Sequence, residues 1–194
     1  MFAAQVAAAP DRTILVLGDS LSAAYGLRTG EGWVALLQKR LQTQGYGYRV
    51  VNASVSGETS TGGLQRLPRA LELHKPAVVI LELGANDALR GLPLSVTRDN
   101  LGKITGLAKA SGAQVVLVGM RIPPNYGPRY TAELERMYKD LARREKLRLV
   151  PFFLERVALR EDLMQADGLH PTATAQPLLL DTLWPTLRPL LRRG

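Results

Sequence analysis

The chain has 194 residues, 46% hydrophobic and 22% charged, a balance that fits a packed globular core and argues against disorder. Its formal net charge is +8, yet Lys and Arg are scattered with no long basic run interleaved with aromatics, so a nucleic-acid partner is not indicated. Cysteine is absent and His74 and His170 are the only histidines, which excludes disulfides, thiol nucleophiles and cysteine–zinc sites and confines imidazole chemistry to two positions.

Phe2 to Ala9 is small and apolar but lacks the basic n-region and longer apolar core of a complete signal peptide. Residues 1–11 read as a disordered end, or as what remains of a signal or pro segment, ahead of one domain over 12–194. No apolar run is long enough to span a bilayer.

Residues 13–17, Thr-Ile-Leu-Val-Leu, are short, rich in β-branched side chains and stopped by Gly18, which predicts a buried strand. Residues 31–44 carry Trp33, Leu36, Leu37 and Leu41 at helical spacing, and Gly45 ends that helix. A second strand is expected at 48–52, then a helix over 62–73 with Pro68 as a kink or boundary. Residues 77–83 are almost continuously apolar, as a central parallel strand covered on both faces would be. A helix over 94–110 and a strand over 114–119 come next, followed by a proline-rich loop from Arg121 to Pro128. Residues 131–145 place Leu134, Met137, Tyr138 and Leu141 on one helical face; a short strand at 147–150 and a final helix over 174–191 complete the chain. This alternation, without an internal repeat, is the pattern of a parallel sheet with helices on both faces: one α/β domain.

Polar stretches follow the first three predicted strands: Gly18-Asp19-Ser20-Leu21-Ser22, the run from Ala53 to Ser60, and Gly84-Ala85-Asn86-Asp87. In a parallel sheet they lie together along the carboxyl edge, where open α/β sheets bind ligands. Ser20 is therefore placed where a nucleophile works, although Gly, Asp and Ser are also ordinary turn residues. A serine hydroxyl needs a base within about 2.6–3.2 Å. His170, in the loop Asp167-Gly168-Leu169-His170-Pro171, is the candidate; His74, beside Lys75-Pro76 at a helix end, is expected to meet terminal carbonyls instead. Asp167 can fold back onto the imidazole to fix its tautomer, and Asp167-Gly168 reads equally as a plain turn. The N–H groups of Ser20 and Gly57 with the Asn86 carboxamide are three neutral donors suited to an oxyanion, whereas Gly57 or Asn86 taken alone is a common turn residue.

These four segments, in this order, resemble the four blocks of the SGNH (GDSL) hydrolases, over nearly the whole chain from about residue 12. Asn52 to Ser60, Leu89-Arg90-Gly91, Pro124-Asn125-Tyr126-Gly127 and Pro151-Phe152-Phe153 are similar to the bacterial periplasmic thioesterase/lysophospholipase/arylesterase subgroup. Ala85 stands where many members of that subgroup have a second glycine, a departure expected to alter the loop beside Asn86 more than the chemistry. The resemblance implies a three-layer αβα sandwich around a mainly five-stranded parallel sheet of flavodoxin-like type. It implies Ser20 as nucleophile, His170 as base, Asp167 as its orienting acid, and Ser20, Gly57 and Asn86 as the oxyanion hole. Leu21, Leu89, Leu92, Ile122, Pro123 and Tyr126 would border an apolar acyl or aryl pocket. The implied reaction is hydrolysis of esters and thioesters without metal or cofactor. The implied setting is a periplasmic or secreted monomer, free of nucleic acid and in transient contact with lipid, its signal peptide removed.

An acyltransferase or a carbohydrate-ester deacetylase would use the same three residues, and a non-catalytic lipid carrier the same pocket. Two distant histidines give no ligand cluster at metal spacing. Neither a Gly-x-Ser-x-Gly elbow nor a phosphate-cradling glycine loop occurs.

Overall fold

The computed structural model describes residues 12–193. Its strands are β1 (Arg12–Gly18), β2 (Tyr48–Asn52), β3 (Val78–Glu82), β4 (Gln114–Val118) and β5 (Arg148–Val150), all parallel in the order β2-β1-β3-β4-β5. The most continuously apolar runs take the central places, and Ile14 to Leu17 and Val78 to Leu81 have no solvent exposure. Helices α1 (Trp33–Thr43) and α6 (Gln176–Leu187) pack together on one face. On the other lie α2 (Ser60–His74), α4 (Leu94–Ala110) and α5 (Pro128–Glu145), each packed on the next. Each core Val, Leu or Ile contributes on the order of 1.5–3 kcal/mol through burial, so covering both faces holds the sheet. The result is the three-layer αβα arrangement expected.

Several boundaries differ from the sequence reading, each for a local reason. α2 begins at Ser60 rather than 62, because the Thr59 side chain accepts from the Gly62 N–H and caps the first turn. It then runs through Pro68, which is exposed, while Leu67 and Leu71 bury the opposite face. α5 begins at Pro128 rather than 131, since proline is pre-organised for the first helical position. The last helix is shorter at both ends, flanked by single 3-10 turns at Ala173–Ala175 and Arg188–Leu190. A short helix, α3 (Ala85–Leu89), has too few residues to show periodicity and was not expected. The expected signal or pro segment at 1–11 lies outside the described residues.

Topology places the site. From β1 the chain passes outward to β2 and then returns to β3 on the other side of β1. The connections diverge there and leave a crevice at the carboxyl ends of β1 and β3. Gly18 is in register with Glu82 at that crevice. His74, at the far end of α2, lies toward the opposite edge of the sheet.

Candidate active site

The chain turns sharply after β1. Asp19 Oδ1 accepts from the Leu21 N–H at 3.0 Å, and the Asp19 and Ser20 carbonyls accept from the N–H groups of Ala23 and Tyr25 at 2.9 and 3.1 Å. This single turn presents the Ser20 hydroxyl at the rim, half-buried. Position 18, two before Ser20, must be glycine: a Cβ there would stand 2.6 Å from Ser22 Oγ and 2.7 Å from Glu82 Oε2.

Facing Ser20 is the loop before α6, closed by a bridge between Met164 and Pro171 and by a 2.7 Å bond from the Gln165 N–H to the His170 carbonyl. Asp167 Oδ1 accepts from the N–H groups of Leu169 and His170 at 2.9 and 3.0 Å, and Gly168 makes the turn at φ +66°. Asp167 Oδ2 is left to meet His170 Nδ1 at 2.6 Å, and His170 Nε2 lies 2.9 Å from Ser20 Oγ. The His170 backbone N–H, the imidazole and the Leu169 N–H, in that order, hold the Asp167 carboxyl down at about 2. An ionised Asp167 only accepts, so Nδ1 carries the hydrogen and Nε2 offers its lone pair to the Ser20 hydroxyl. Tyr25 leans over the imidazole, ring centres 4.6 Å apart and tilted by 40°. The Gln165 carboxamide ties the two loops together, donating to the Tyr25 carbonyl at 2.9 Å and the Pro171 carbonyl at 3.0 Å.

The loop after β2 folds back over the crevice because the Ala53 and Val55 N–H groups donate to the Val16 and Gly18 carbonyls at 2.9 and 3.1 Å. Arg66 secures it from α2, reaching Glu58 at 2.7 Å and the Ala53 carbonyl at 2.9 Å. Gly57 takes φ +77°, a conformation that favours glycine, and Arg90 donates to its carbonyl at 2.9 Å. Among the described residues, neither the Ser20 nor the Gly57 N–H donates to a protein acceptor. Asn86, in α3, donates from Nδ2 to the Glu58 carbonyl and to Asp19 Oδ2, each at 3.0 Å, so both neighbours dictate which end of the carboxamide faces inward. Asp87 anchors that helix by accepting from the Ser60 N–H at 2.8 Å and from the Ser60 hydroxyl.

Beneath Ser20 lies a buried acidic floor. Glu82 Oε2 accepts from the Ser22 hydroxyl at 2.7 Å and the Asp19 N–H at 3.2 Å. Asp19 is 1% exposed and Glu82 fully buried. Burial pushes the Asp19 carboxyl up to about 6, and burial together with the neighbouring Asp19 charge pushes Glu82 well above the usual carboxylate range. Ser22, committed to Glu82 and 1% exposed, is no rival to Ser20 as a nucleophile.

The structure thus brings Ser20, Asp167, His170, Gly57 and Asn86 to one edge. Of the residues expected to border an acyl pocket, Leu21 lines the shallow cleft beside Ser20 and His170, with Ala24, Tyr25, Leu27, Pro171 and Gln176. Leu89 and Leu92 are half-buried, and the Leu92 carbonyl accepts from Tyr130 at 2.8 Å. Ile122 is packed in the core, while Pro123 and Tyr126 are exposed. A second depression of about 260 Å³ shares Ala24 and Leu27 with this cleft and is lined in part by Arg28, Thr29 and Asn52. Tyr25, Gln165 and the Asp19–Glu82 pair escaped the sequence reading. Only Glu82 left a signal, as a lone charge inside the apolar run of β3.

A serine in line with an imidazole and a carboxylate, at the switch point of a parallel sheet, defines a class. The profile of the GDSL-like Lipase/Acylhydrolase family matches residues 16–176, and the chain belongs to that family of ester-bond hydrolases. More particularly, it is 57% identical to Esterase TesA of Pseudomonas aeruginosa over 180 residues, covering 93% of this chain and 90% of the relative. It is 44% identical over 185 residues to Thioesterase 1/protease 1/lysophospholipase L1 of Escherichia coli, covering 95% of this chain and 87% of the relative. The crystal structure of the psychrotrophic esterase EstA from Pseudoalteromonas sp., inhibited by monoethylphosphonate, superimposes with a TM-score of 0.88 at 44% identity, over 92% of this chain and 98% of that one.

Proposed function

We propose that the chain hydrolyses carboxylic esters and thioesters through an acyl-enzyme on Ser20. The observation that carries this reading is the hydrogen-bonded line from Asp167 Oδ2 through His170 to Ser20 Oγ, at 2.6 and 2.9 Å. His170 Nε2 takes the hydroxyl proton as Ser20 attacks the carbonyl carbon, and Asp167 stabilises the imidazolium. The same proton passes to the leaving alcohol or thiol; His170 then activates water to release the acid and free Ser20. The N–H groups of Ser20 and Gly57 take the developing oxyanion, with a share of one Asn86 hydrogen, since both hydrogens of that amide already have acceptors. Leu21, Tyr25 and Leu27 give the cleft apolar walls, which suits an apolar acyl or aryl group. The names of the relatives, esterase and thioesterase/lysophospholipase, support the same substrate classes.

The resemblance to periplasmic enzymes supports a periplasmic or secreted monomer, with one domain from residue 12. No described helix is long and apolar enough to cross a membrane. Contact with lipid is transient, made as substrate is taken up.

Ser20→Ala is expected to lower kcat by roughly 10⁴–10⁶ with an unchanged melting temperature. A fluorophosphonate is expected to label Ser20 in the parent enzyme and nothing in the variant; labelling at Ser54, or retained turnover, refutes the assignment. Asn86→Ala is expected to lose roughly 10²–10³ in kcat. A rise in KM alone would reassign Asn86 to substrate positioning. A chain-length series of nitrophenyl esters and acyl-CoA thioesters, run with and without added alcohol, separates hydrolysis from acyl transfer.

A further inference from the structure

The floor beneath Ser20 carries two buried carboxyls that the reaction above does not use. Asp19 offers both oxygens as acceptors, Oδ1 to the Leu21 N–H at 3.0 Å and Oδ2 to Asn86 Nδ2 at 3.0 Å. Glu82 accepts only at Oε2, from Ser22 and the Asp19 N–H; its Oε1 is buried without a hydrogen-bonding partner among the described residues. Two neighbouring carboxyls buried out of water resist ionising together, and a carboxyl with one oxygen unclaimed by any donor is the one that keeps the hydrogen. The groups around the pair, Asn86 on Asp19 among them, suit a single negative charge. Ser22 donates to it from the turn after β1, the Tyr138 hydroxyl of α5 points away to the Leu83 carbonyl, Asp87 of α3 adds a like charge, and His170 stands across the rim.

We propose that Glu82 retains a proton at neutral pH and gives it as a hydrogen bond to an ionised Asp19, and that this pair positions Asn86. The Asp19 carboxylate and the Glu58 carbonyl are both acceptors, so only the NH₂ end of the Asn86 carboxamide can face them. Turned the other way, Asn86 would present an oxygen to an oxygen and to any oxyanion above it. Glu82 and Asp19 are thus positioning residues: they touch no substrate atom and act through the orientation of one amide. This inference rests on the oxyanion role given to Asn86 above.

The test uses the full chain and two variants. Infrared difference spectra at neutral pH are expected to show the C=O stretch of a neutral carboxylic acid that is absent from Glu82→Gln. The absence of that band in the parent overturns the proposal. A protonated Glu82 favours the folded state at low pH, and that advantage drains away as pH rises above the ordinary glutamate range. Glu82→Gln cannot lose its hydrogen, so its melting temperature relative to the parent is expected to rise as pH climbs above about 4.5. A constant difference counts against the shared proton. Asp19→Asn, which can offer an NH₂ to Asn86, is expected to lower kcat by about 10²-fold with KM nearly unchanged. Glu82→Ala is expected to fall likewise and Glu82→Gln to recover most of the loss. Full kcat in a folded Asp19→Asn enzyme overturns the positioning role. Should Asn86→Ala itself keep full kcat while the infrared band is present, the oxyanion reading fails and the shared proton stands.

Discussion

Two aspartates flank the proposed nucleophile, and the fold treats them in opposite ways. Asp167, at the rim, is 39% exposed; two backbone N–H groups and an imidazole hold its carboxyl down at about 2. Asp19, in the floor, is 1% exposed and pushed up to about 6, above all by burial. Donors outweigh desolvation at the rim, and desolvation outweighs donors in the floor. The rim carboxylate can stabilise a transient imidazolium because water and three donors keep it charged. The floor carboxylate keeps geometry, and its environment tolerates one charge, not two. The same side chain, one residue before the proposed nucleophile or three before the proposed base, has its work assigned by its surroundings.

The largest effect that separates the two regions is expected from Asp167→Asn. It keeps the shape and an acceptor for the Leu169 and His170 N–H groups, but it can hold the wrong imidazole tautomer. kcat is expected to fall roughly 10⁴-fold, as seen when a triad aspartate is made asparagine elsewhere, while stability near neutral pH falls only modestly. A stability loss matching the loss in rate would mean that the rim is structural, like the floor.

Gly18→Ala breaks the floor instead. Its Cβ would lie 2.6–2.8 Å from Ser22 and the Glu82 carboxylate, which are buried and cannot yield without disturbing the Asp19 N–H. A destabilisation of about 1–3 kcal/mol is expected in urea unfolding. A variant as stable as the parent would mean that the floor repacks freely.

The opposite pKa displacements also predict opposite pH slopes. Asp167 lies below its ordinary 3.8, so its contribution to stability is present above that value and is lost as pH falls toward 2. Asp19 lies above 3.8, so its effect is reversed: the folded state loses ground as pH rises through about 6. Urea midpoints of the parent and Asp167→Asn are therefore expected to converge between about pH 4 and pH 2. A constant gap would place the rim carboxyl at its ordinary value.

How much of this was legible in the sequence follows the same division. β2 and α4 were read to the residue, and the parallel sheet followed from apolar runs such as 77–83, because strand period and burial are local properties. That Ser20, Gly57 and Asn86 share one edge was legible because their loops follow strands whose position the alternation already sets, whereas Asp167 and His170, in the loop before α6, were singled out by chemistry and by the family resemblance. The floor was not legible, since Glu82 and Asp19 meet only through the register of β1 against β3, and register is a tertiary fact. Around the cleft, Tyr25 stacks on His170 from a turn that carries no apolar pattern, and Ile122, expected at the pocket border, is packed in the core.

Gln165 gives the smallest effect and the finest test of how rim and nucleophile are joined. Its carboxamide bonds to the carbonyls of Tyr25, in the turn that carries Ser20, and of Pro171, next to His170; its own N–H holds the His170 carbonyl. Gln165→Ala removes the two side-chain bonds and leaves the backbone bond, so the Ser20 and His170 loops keep their folds but lose their mutual register. Catalysis depends on reacting atoms held within fractions of an ångström, and misplacement by about 1 Å can cost as much as 10²-fold. With one loop bond and the Met164–Pro171 bridge intact, a loss of about tenfold in kcat is expected, with KM nearly unchanged. A change in KM without a change in kcat would show that Gln165 shapes the cleft wall through Tyr25, and that the Ser20–His170 distance is set by the two loops independently.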